Sequence, residues 1–145
     1  MTLPGRAETT LHATCIALDG RGLLILGPSG SGKSTLAISL LARGARLVSD
    51  DQTCVIATAT GLVARCPTPA LTGLVEARGL GLLRAEYLPE APLALAVDLG
   101  RDEPDRLPPR RSLRLLDCEL PLVLRPQNPH LADALVLWLR GGRQE

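Results

Sequence analysis

The stretch from Gly27 to Thr35, GPSGSGKST, combines glycines, a lysine and hydroxyl side chains at a spacing that suits phosphate binding. It fits the pattern G-x-x-x-x-G-K-[ST], in which glycines adopt backbone angles that a Cβ forbids and successive N–H groups turn toward one anion. We expect Lys33 to reach the outer phosphates of a nucleoside triphosphate and the Ser34 hydroxyl to hold a magnesium ion. The residues predicted to bind the nucleotide are Gly27, Pro28, Ser29, Gly30, Ser31, Gly32, Lys33, Ser34 and Thr35.

Two adjacent carboxylates, Asp50 and Asp51, form the second candidate for chemistry. They follow a short apolar strand predicted at 46–49, and ligands of open parallel sheets bind at the carboxyl ends of the strands. An acidic residue at such a position can hold magnesium or accept the proton of an attacking hydroxyl. Neighbouring strand residues point to opposite faces, so the two carboxylates are expected to differ in role. A solvated turn is the alternative interpretation.

Three further polar positions are less distinctive. His12 falls in a predicted strand at 10–18, where a lone histidine is more often structural than catalytic. Glu76 and Arg78 interrupt an apolar run and lie either on one face of a strand at a site or in a surface loop. Arg106 belongs to a charged, proline-rich segment at 101–114 that is typical of a mobile loop. Arginine beside a triphosphate can stabilise the transferring group, although a solvated face is the alternative.

The elements that must position these residues alternate between short strands and two helices. Helices are predicted at 36–43 and 131–139. Strands are predicted at 10–18, 22–26, 46–49, 53–58, 61–66, 93–99 and 120–125. We expect a single domain over 10–140, flanked by a flexible N-terminus at 1–9 and a flexible tail at 141–145.

Composition excludes several classes of function. The net charge of +1 gives no electrostatic argument for nucleic acid. With no Phe, one Tyr and one Trp, the chain lacks the stacking platforms of single-strand binders. Its four cysteines form no C-x-x-C pair, so neither a zinc site nor a disulfide framework is indicated. No stretch approaches the roughly 20 apolar residues of a membrane span, so we expect a cytoplasmic protein without membrane association.

Taken together, these segments resemble the C-terminal catalytic domain of the HPr kinase/phosphorylase family. The similarity is carried by GPSGSGKS in the loop, LVSDD at 47–51 and EARGLGLL at 76–83. LHATCIAL at 11–18, DRL at 105–107 and LPLVLRP at 120–126 are similar to that family's histidine-bearing strand, mobile-loop arginine segment and V-R-P segment. The resemblance covers 10–128 and implies an α/β fold. That fold is a P-loop kinase-like domain with a central mixed β-sheet, of the HPr kinase/phosphoenolpyruvate carboxykinase type.

The resemblance implies an ATP-dependent protein serine kinase whose substrate is an HPr-like phosphocarrier of the phosphotransferase system. Phosphorolysis is the implied reverse reaction, in which inorganic phosphate attacks phosphoserine and pyrophosphate is formed. Lys33 then holds phosphate, Asp50 is the base forward and the acid in reverse with His12 as its partner, and Arg106 contacts the phosphate or phosphoserine. The implied cofactors are ATP and Mg²⁺. The implied metal ligands are Ser34, Glu76 and Asp51.

The chain also departs from the pattern of that family. Arg125-Pro126-Gln127-Asn128 stands where R-P-G-R-N is common, in a segment implicated in the phosphorylase direction. Many members carry a further N-terminal domain, and we expect the short form here. Family members assemble as hexamers, which suggests a homo-oligomer. The alternatives are a non-catalytic module that senses ATP or phosphate and a small-molecule P-loop kinase.

Overall fold

A computed structural model describes residues 7–145, which form strands β1 to β11 and helices α1 and α2. Part of the predicted N-terminal segment, 1–6, lies outside the described residues, and strand structure begins at Glu8. The strands are β1 Glu8–Leu11, β2 Thr14–Leu18, β3 Arg21–Leu26, β4 Arg46–Ser49, β5 Thr53–Thr58, β6 Gly61–Arg65, β7 Leu74–Ala77, β8 Gly81–Arg84, β9 Glu90–Asp102, β10 Arg111–Leu115 and β11 Cys118–Arg125. The helices are α1 Lys33–Ala42 and α2 Leu131–Gly141, and a 3₁₀ turn covers Pro69–Leu71.

A mixed, nine-stranded sheet organises the described chain around the long strand β9. Its order is β1-β5-β6-β9-β3-β2-β4, and the β10–β11 hairpin joins β9 through β11. β9 is parallel to β3 and to β11, whereas the other pairs in this sheet are antiparallel. The predicted α/β fold with a central mixed sheet is therefore confirmed.

The central strands are buried on both faces. Every residue of β2 is buried, and its side chains alternate between two apolar clusters. Ile16 belongs to the cluster that includes Leu36 of α1 and Leu135 of α2, whereas Cys15 belongs to the cluster on the opposite face. The two helices thus cover one face of the sheet.

Strand directions bring the candidate residues to one edge. β3 and β4 are both antiparallel to β2, so their carboxyl ends lie beside the amino end of β2. β9 and β11 run parallel to β3 and end at the same edge. The glycine-rich loop after β3, Asp50 after β4, His12 before β2 and Arg125 at the end of β11 therefore converge.

Two predicted elements were wrong in their bounds. The single strand at 10–18 is split at His12 and Ala13 because β1 pairs with β5 while β2 pairs with β3 and β4. The Ala13 N–H donates to the Leu11 carbonyl at the turn, at 2.9 Å. The predicted loop at 101–114 is shorter, because β9 extends to Asp102 and β10 begins at Arg111. The side chains of β10 alternate between half-buried and exposed, and the strand pairs with β11. The charges and prolines of this segment concealed that strand pattern in the sequence.

The helices are short. α1 has 10 residues and α2 has 11. Neither approaches the roughly 20 apolar residues that a bilayer demands, and over residues 7–145 no helix combines the length and apolarity required to cross a membrane.

Candidate active site

The glycine-rich loop has the backbone that an anion-binding loop needs. Gly27, Gly30 and Gly32 have positive φ values of 147°, 84° and 100°. A Cβ on Gly27 would collide with the Ser31 Oγ and would lie 3.3 Å from the Leu99 Cβ, so a side chain here would force its neighbours to move. Gly32 caps α1 without a side-chain hydrogen bond, and the first turn carries no acidic residue. The free N–H groups and the helix dipole therefore favour a negatively charged ligand here.

Lys33 and Ser31 place further polar groups at the loop. The Lys33 side chain is buried, and its Nζ donates to the carbonyls of Gly27 at 2.7 Å and Pro28 at 3.2 Å. The ammonium therefore lies against the loop that would hold the phosphates. The Ser31 Oγ is buried and has no hydrogen-bond partner among the described residues, so this hydroxyl is available to a bound ligand.

Asp50 is the centre of the hydrogen-bond network. Its Oδ1 accepts from the Thr14 Oγ1 at 3.1 Å and from the Ser34 Oγ at 3.0 Å. Its Oδ2 accepts from the backbone N–H of Glu76 at 3.0 Å. These three donors come from β2, α1 and β7, so the carboxylate is oriented by three separate elements. Thr14 is fully buried and was missed by sequence reasoning. No local signal marked it, because its contact depends on the carboxyl end of β4 lying beside the amino end of β2.

Asp51 has a different environment from Asp50, although neither residue lies in a strand, because β4 ends at Ser49. Its φ is 67°. The Gln52 N–H donates to the Asp50 carbonyl at 2.7 Å, which closes a tight turn with Asp51 at its centre. Its Oδ1 lies 2.6 Å from the His12 Nε2, and both side chains are more than half exposed. The structure therefore pairs His12 with Asp51 rather than with Asp50. A non-glycine residue in the left-handed region is a form of strain that often occurs at functional sites.

The hairpin β7–β8 closes one side of the site. Glu76 lies in β7 and Arg78 follows it in the turn, and both line the cavity over the loop. The two residues therefore do not share a strand face, because Glu76 lies in the strand and Arg78 in the turn after it. Val75 anchors the hairpin by packing in the cluster that contains Leu36 of α1. The cavity measures about 280 Å³. Its lining comprises His12, Ser29, Gly30, Gly32, Lys33, Ser34, Thr35, Ile38, Asp50, Asp51, Glu76 and Arg78.

The donor set of this cavity suits magnesium bound together with phosphates. Mg²⁺ typically takes one or two carboxylates, substrate phosphates and several waters rather than a cage made by protein alone. The Ser34 hydroxyl and the carboxylates of Glu76 and Asp51 line the cavity. Within residues 7–145, no group of three or more His, Cys, Asp or Glu side chains forms a complete metal cage. The site therefore fits a metal that arrives with the nucleotide.

Two arginines differ from expectation. Arg106 is exposed on the loop after β9 and does not line the cavity over the glycine-rich loop. Arg125 does reach that loop, because its Nη2 donates to the Ser31 carbonyl. Its position after the LPLVL run was the signal that could have identified it. The structure thus brings His12, Lys33, Ser34, Asp50, Asp51 and Glu76 together and leaves Arg106 outside.

The sequence is similar to known proteins of one family. The family model described as the HPr Serine kinase C-terminal domain matches residues 6–88. An HPr kinase/phosphorylase from Brevibacillus brevis is 31% identical over 141 residues, which cover 89% of this chain and 45% of that protein. The protein of the same name from Bordetella pertussis is 47% identical over 76 residues, 52% of this chain and 24% of that protein. The chain therefore spans less than half the length of these relatives.

A solved structure also matches over most of the chain. The Hpr(Ser) kinase/phosphatase from Coxiella burnetii superimposes with a TM-score of 0.76 and 26% sequence identity. The match covers 91% of this chain and 88% of that one.

Proposed function

The chain belongs to the HPr serine kinase C-terminal domain family, and we propose that it transfers the γ-phosphoryl group of ATP to a serine of an HPr-like phosphocarrier. The observation that carries this proposal is the Asp50 carboxylate, which is held against the Ser34 hydroxyl of the phosphate loop at 3.0 Å. Residues 10–140 act as one P-loop kinase domain in this proposal. The phosphocarrier, the cytoplasmic location and assembly into a homo-oligomer belong to the same proposal.

Asp50 is the base. A carboxylate has about four acceptor positions, and three donors already occupy the Asp50 oxygens. The remaining position accepts the proton of the substrate serine as its oxygen attacks the γ-phosphorus. The bond from that phosphorus to the bridging oxygen breaks, and ADP leaves. In the reverse direction phosphate attacks phosphoserine, the protonated carboxyl returns its proton to the serine oxygen, and pyrophosphate is formed.

The neighbouring residues bind the phosphates and the metal ion and orient the Asp51 carboxylate. In this proposal Lys33 holds the outer phosphates, and the N–H groups of the loop neutralise their charge. His12 positions the Asp51 carboxylate through the 2.6 Å contact. Ser34, Glu76 and Asp51 would hold a magnesium ion, whose charge offsets that of the phosphates.

The test is phosphoryl transfer to a purified HPr-like carrier in the presence of ATP and magnesium, read by intact-mass analysis of the carrier. We expect one phosphoryl group per carrier, on serine, and none with Asp50→Asn. Asp117→Asn is the matched control, because Asp117 is exposed in the β10–β11 turn, where its φ of 63° also suits Asn. If phosphoryl transfer persists in Asp50→Asn, Asp50 is not the base. ATP binding without any transfer would favour the sensing module instead.

A further inference from the structure

Arg125 contacts the glycine-rich loop outside the cavity that faces the ligand. Its Nη2 donates to the Ser31 carbonyl and lies 3.7 Å from where a Cβ on Gly32 would be. Gly32 lines the cavity over the loop, whereas Ser31 and Arg125 do not. The guanidinium thus touches the loop without facing the space that a phosphate would occupy, so any effect of Arg125 on ligand binding must act through the loop.

The peptide bond between Ser31 and Gly32 transmits this contact. The described residues contain no cis peptide bond, and in a planar trans peptide the C=O and the following N–H point in opposite directions. Because Arg125 holds the Ser31 carbonyl, the Gly32 N–H points away from the guanidinium. That N–H has no hydrogen-bond partner within the described chain. With a φ of 100°, Gly32 has the backbone freedom that allows such a peptide to turn over unless its carbonyl is fixed.

The backbone of Arg125 is itself anchored. Its carbonyl accepts from the backbone N–H of Glu103 at 2.8 Å. The pairing of β11 with β9 shifts register between Leu124 and Arg125, and residues 99–101 of β9 have no partner on β11. Bulges of this kind bend a strand and redirect side chains beside active sites. The irregularity falls at the residue whose side chain reaches the phosphate loop.

The bulged part of β9 supports the start of the same loop by packing. A Cβ on Gly100 would lie 2.8 Å from the Pro28 Cδ, so the two backbones approach closely. Across residues 7–145, Arg125 supplies the one side-chain hydrogen bond to a backbone group of 29–32. That bond goes to Ser31, which has a glycine on either side, where the loop is otherwise least constrained.

The charge of Arg125 offers a second route to the same ligand. Its guanidinium takes part in no ion pair within the part of the chain that the structure describes. An unpaired positive charge beside the loop attracts an anion at a distance, without orienting any donor. The two routes can be told apart, because salt screens the attraction between separated charges and leaves a direct hydrogen bond in place.

We propose that Arg125 is a positioning residue for phosphate binding. By holding the Ser31 carbonyl, it turns the Gly32 N–H toward the cavity, where this N–H donates to the phosphate nearest the start of α1. Arg125 itself contacts no ligand atom. The inference rests on the proposed function, and it identifies what fixes one of the donors of that same site.

The test measures binding of inorganic tripolyphosphate by calorimetry. Arg125→Met keeps an unbranched stem and removes both the donor and the charge, and Arg125 is half-buried, so methionine fits there. We expect Arg125→Met to weaken binding about tenfold, the worth of one hydrogen bond from a charged group. The ratio of wild-type to variant affinity should be the same at about 0.1 M and about 0.5 M salt. Arg114→Met is the control, since it removes the same charge from an exposed position of β10 and should change nothing.

Arg125→Lys separates the hydrogen bond from the charge. Lysine keeps the charge and one donor on a shorter stem, so any weakening in this variant reports on the hydrogen bond alone. We expect an affinity between those of the wild type and Arg125→Met. If Arg125→Met does not fold, Arg125→Lys carries the test, and urea unfolding measures the stability of each variant separately.

Amide resonances read the proposed donor directly. At saturating tripolyphosphate we expect the Gly32 amide proton of the wild type to move to lower field, because an N–H that donates to an anion is deshielded. In Arg125→Met at saturation this shift should be lost for Gly32 and kept for Ser34 in the first turn of α1. A substitution that only loosened the fold would not single out Gly32.

The outcomes separate this inference from the proposed function. If Arg125→Met binds tripolyphosphate as the wild type does, or keeps the Gly32 shift, the inference is overturned. If the weakening disappears at the higher salt concentration, Arg125 acts by its charge alone and the inference also fails. In each of these cases the loop still binds phosphate, so the kinase proposal stands. If the wild type binds neither tripolyphosphate nor ATP, both proposals fail together.

Discussion

Replacing Thr14 with valine tests whether the Thr14 hydroxyl orients Asp50 and stabilises the fold around the site. Valine keeps the shape of threonine and removes only the hydroxyl. That hydroxyl donates to the Asp50 Oδ1 at 3.1 Å and accepts from the Asp51 N–H at 3.2 Å, at a residue with no exposed surface. A bond to an ionised group contributes about 1.5–3 kcal/mol and a neutral one about 1 kcal/mol. The added methyl returns about 0.8 kcal/mol, so we expect Thr14→Val to lower the free energy of unfolding by about 2–3 kcal/mol.

The assay is urea unfolding followed by circular dichroism, with phosphoryl transfer measured where the variant remains folded. Thr14→Ser keeps both hydrogen bonds and loses only a methyl group, so it is expected to cost about 1 kcal/mol and to retain most of the transfer rate. Thr10→Val, at an exposed position of β1, is expected to change stability by less than about 0.5 kcal/mol. Transfer should fall in Thr14→Val beyond the loss of folded protein, because Asp50 loses one of its three donors.

Two results would refute this reasoning. If Thr14→Val unfolds at the same urea concentration as the wild type, the hydroxyl does not contribute to the network. If Thr14→Ser is as inactive as Thr14→Val, packing of the methyl group rather than hydrogen bonding positions Asp50.

Three further predictions use other features. Asp51→Ala should lower the free energy of unfolding by about 1 kcal/mol, because alanine at a φ of 67° has a Cβ but lacks the local hydrogen bonding that lets Asp adopt this conformation. Asp51→Gly should not lower it, and urea unfolding midpoints check both variants. The Arg111 guanidinium holds the pKa of the Glu103 carboxyl below its ordinary value of 4.5, so the ion pair stabilises the fold at neutral pH and is lost as the pH falls through the lowered pKa. Glu103→Gln should therefore be less stable than the wild type at neutral pH, with the difference closing in acid. Burial raises the pKa of the Cys15 thiol to about 12, so alkylation at mildly alkaline pH should modify Cys15 only after unfolding, as peptide mapping would show.

The site was predictable where its functional groups belong to consecutive residues. The loop from Gly27 to Thr35 and the Asp50–Asp51 pair have local signatures, and strand direction then places them at one edge. The contact between His12 and Asp51 was not predictable, because it depends on the break between β1 and β2 and on the backbone turn at Asp51. Local pattern alone assigns a continuous strand there.

The fold was less predictable where strands are partly exposed. β10, RSLRL, alternates half-buried and exposed residues and follows several prolines, so its pairing with β11 is decided by tertiary contacts rather than by propensity. The 13 residues of β9 extend beyond the apolar run at 93–99, because different partners pair with its two ends. Sequence period identifies such a strand and does not give its length.

The parallel pairing of β3 with β9 also governs when the phosphate loop can form during synthesis. Gly22 pairs with Leu93, and Ser31 is held by Arg125, 94 residues further along the chain. The loop and helix α1 leave the ribosome long before either partner exists, and contacts of such long sequence separation form late. A nascent chain that already contains the whole loop therefore lacks the neighbouring strand and the arginine that fix it. Under the proposed function, nucleotide binding is therefore a property that the chain acquires only after β11 has been made.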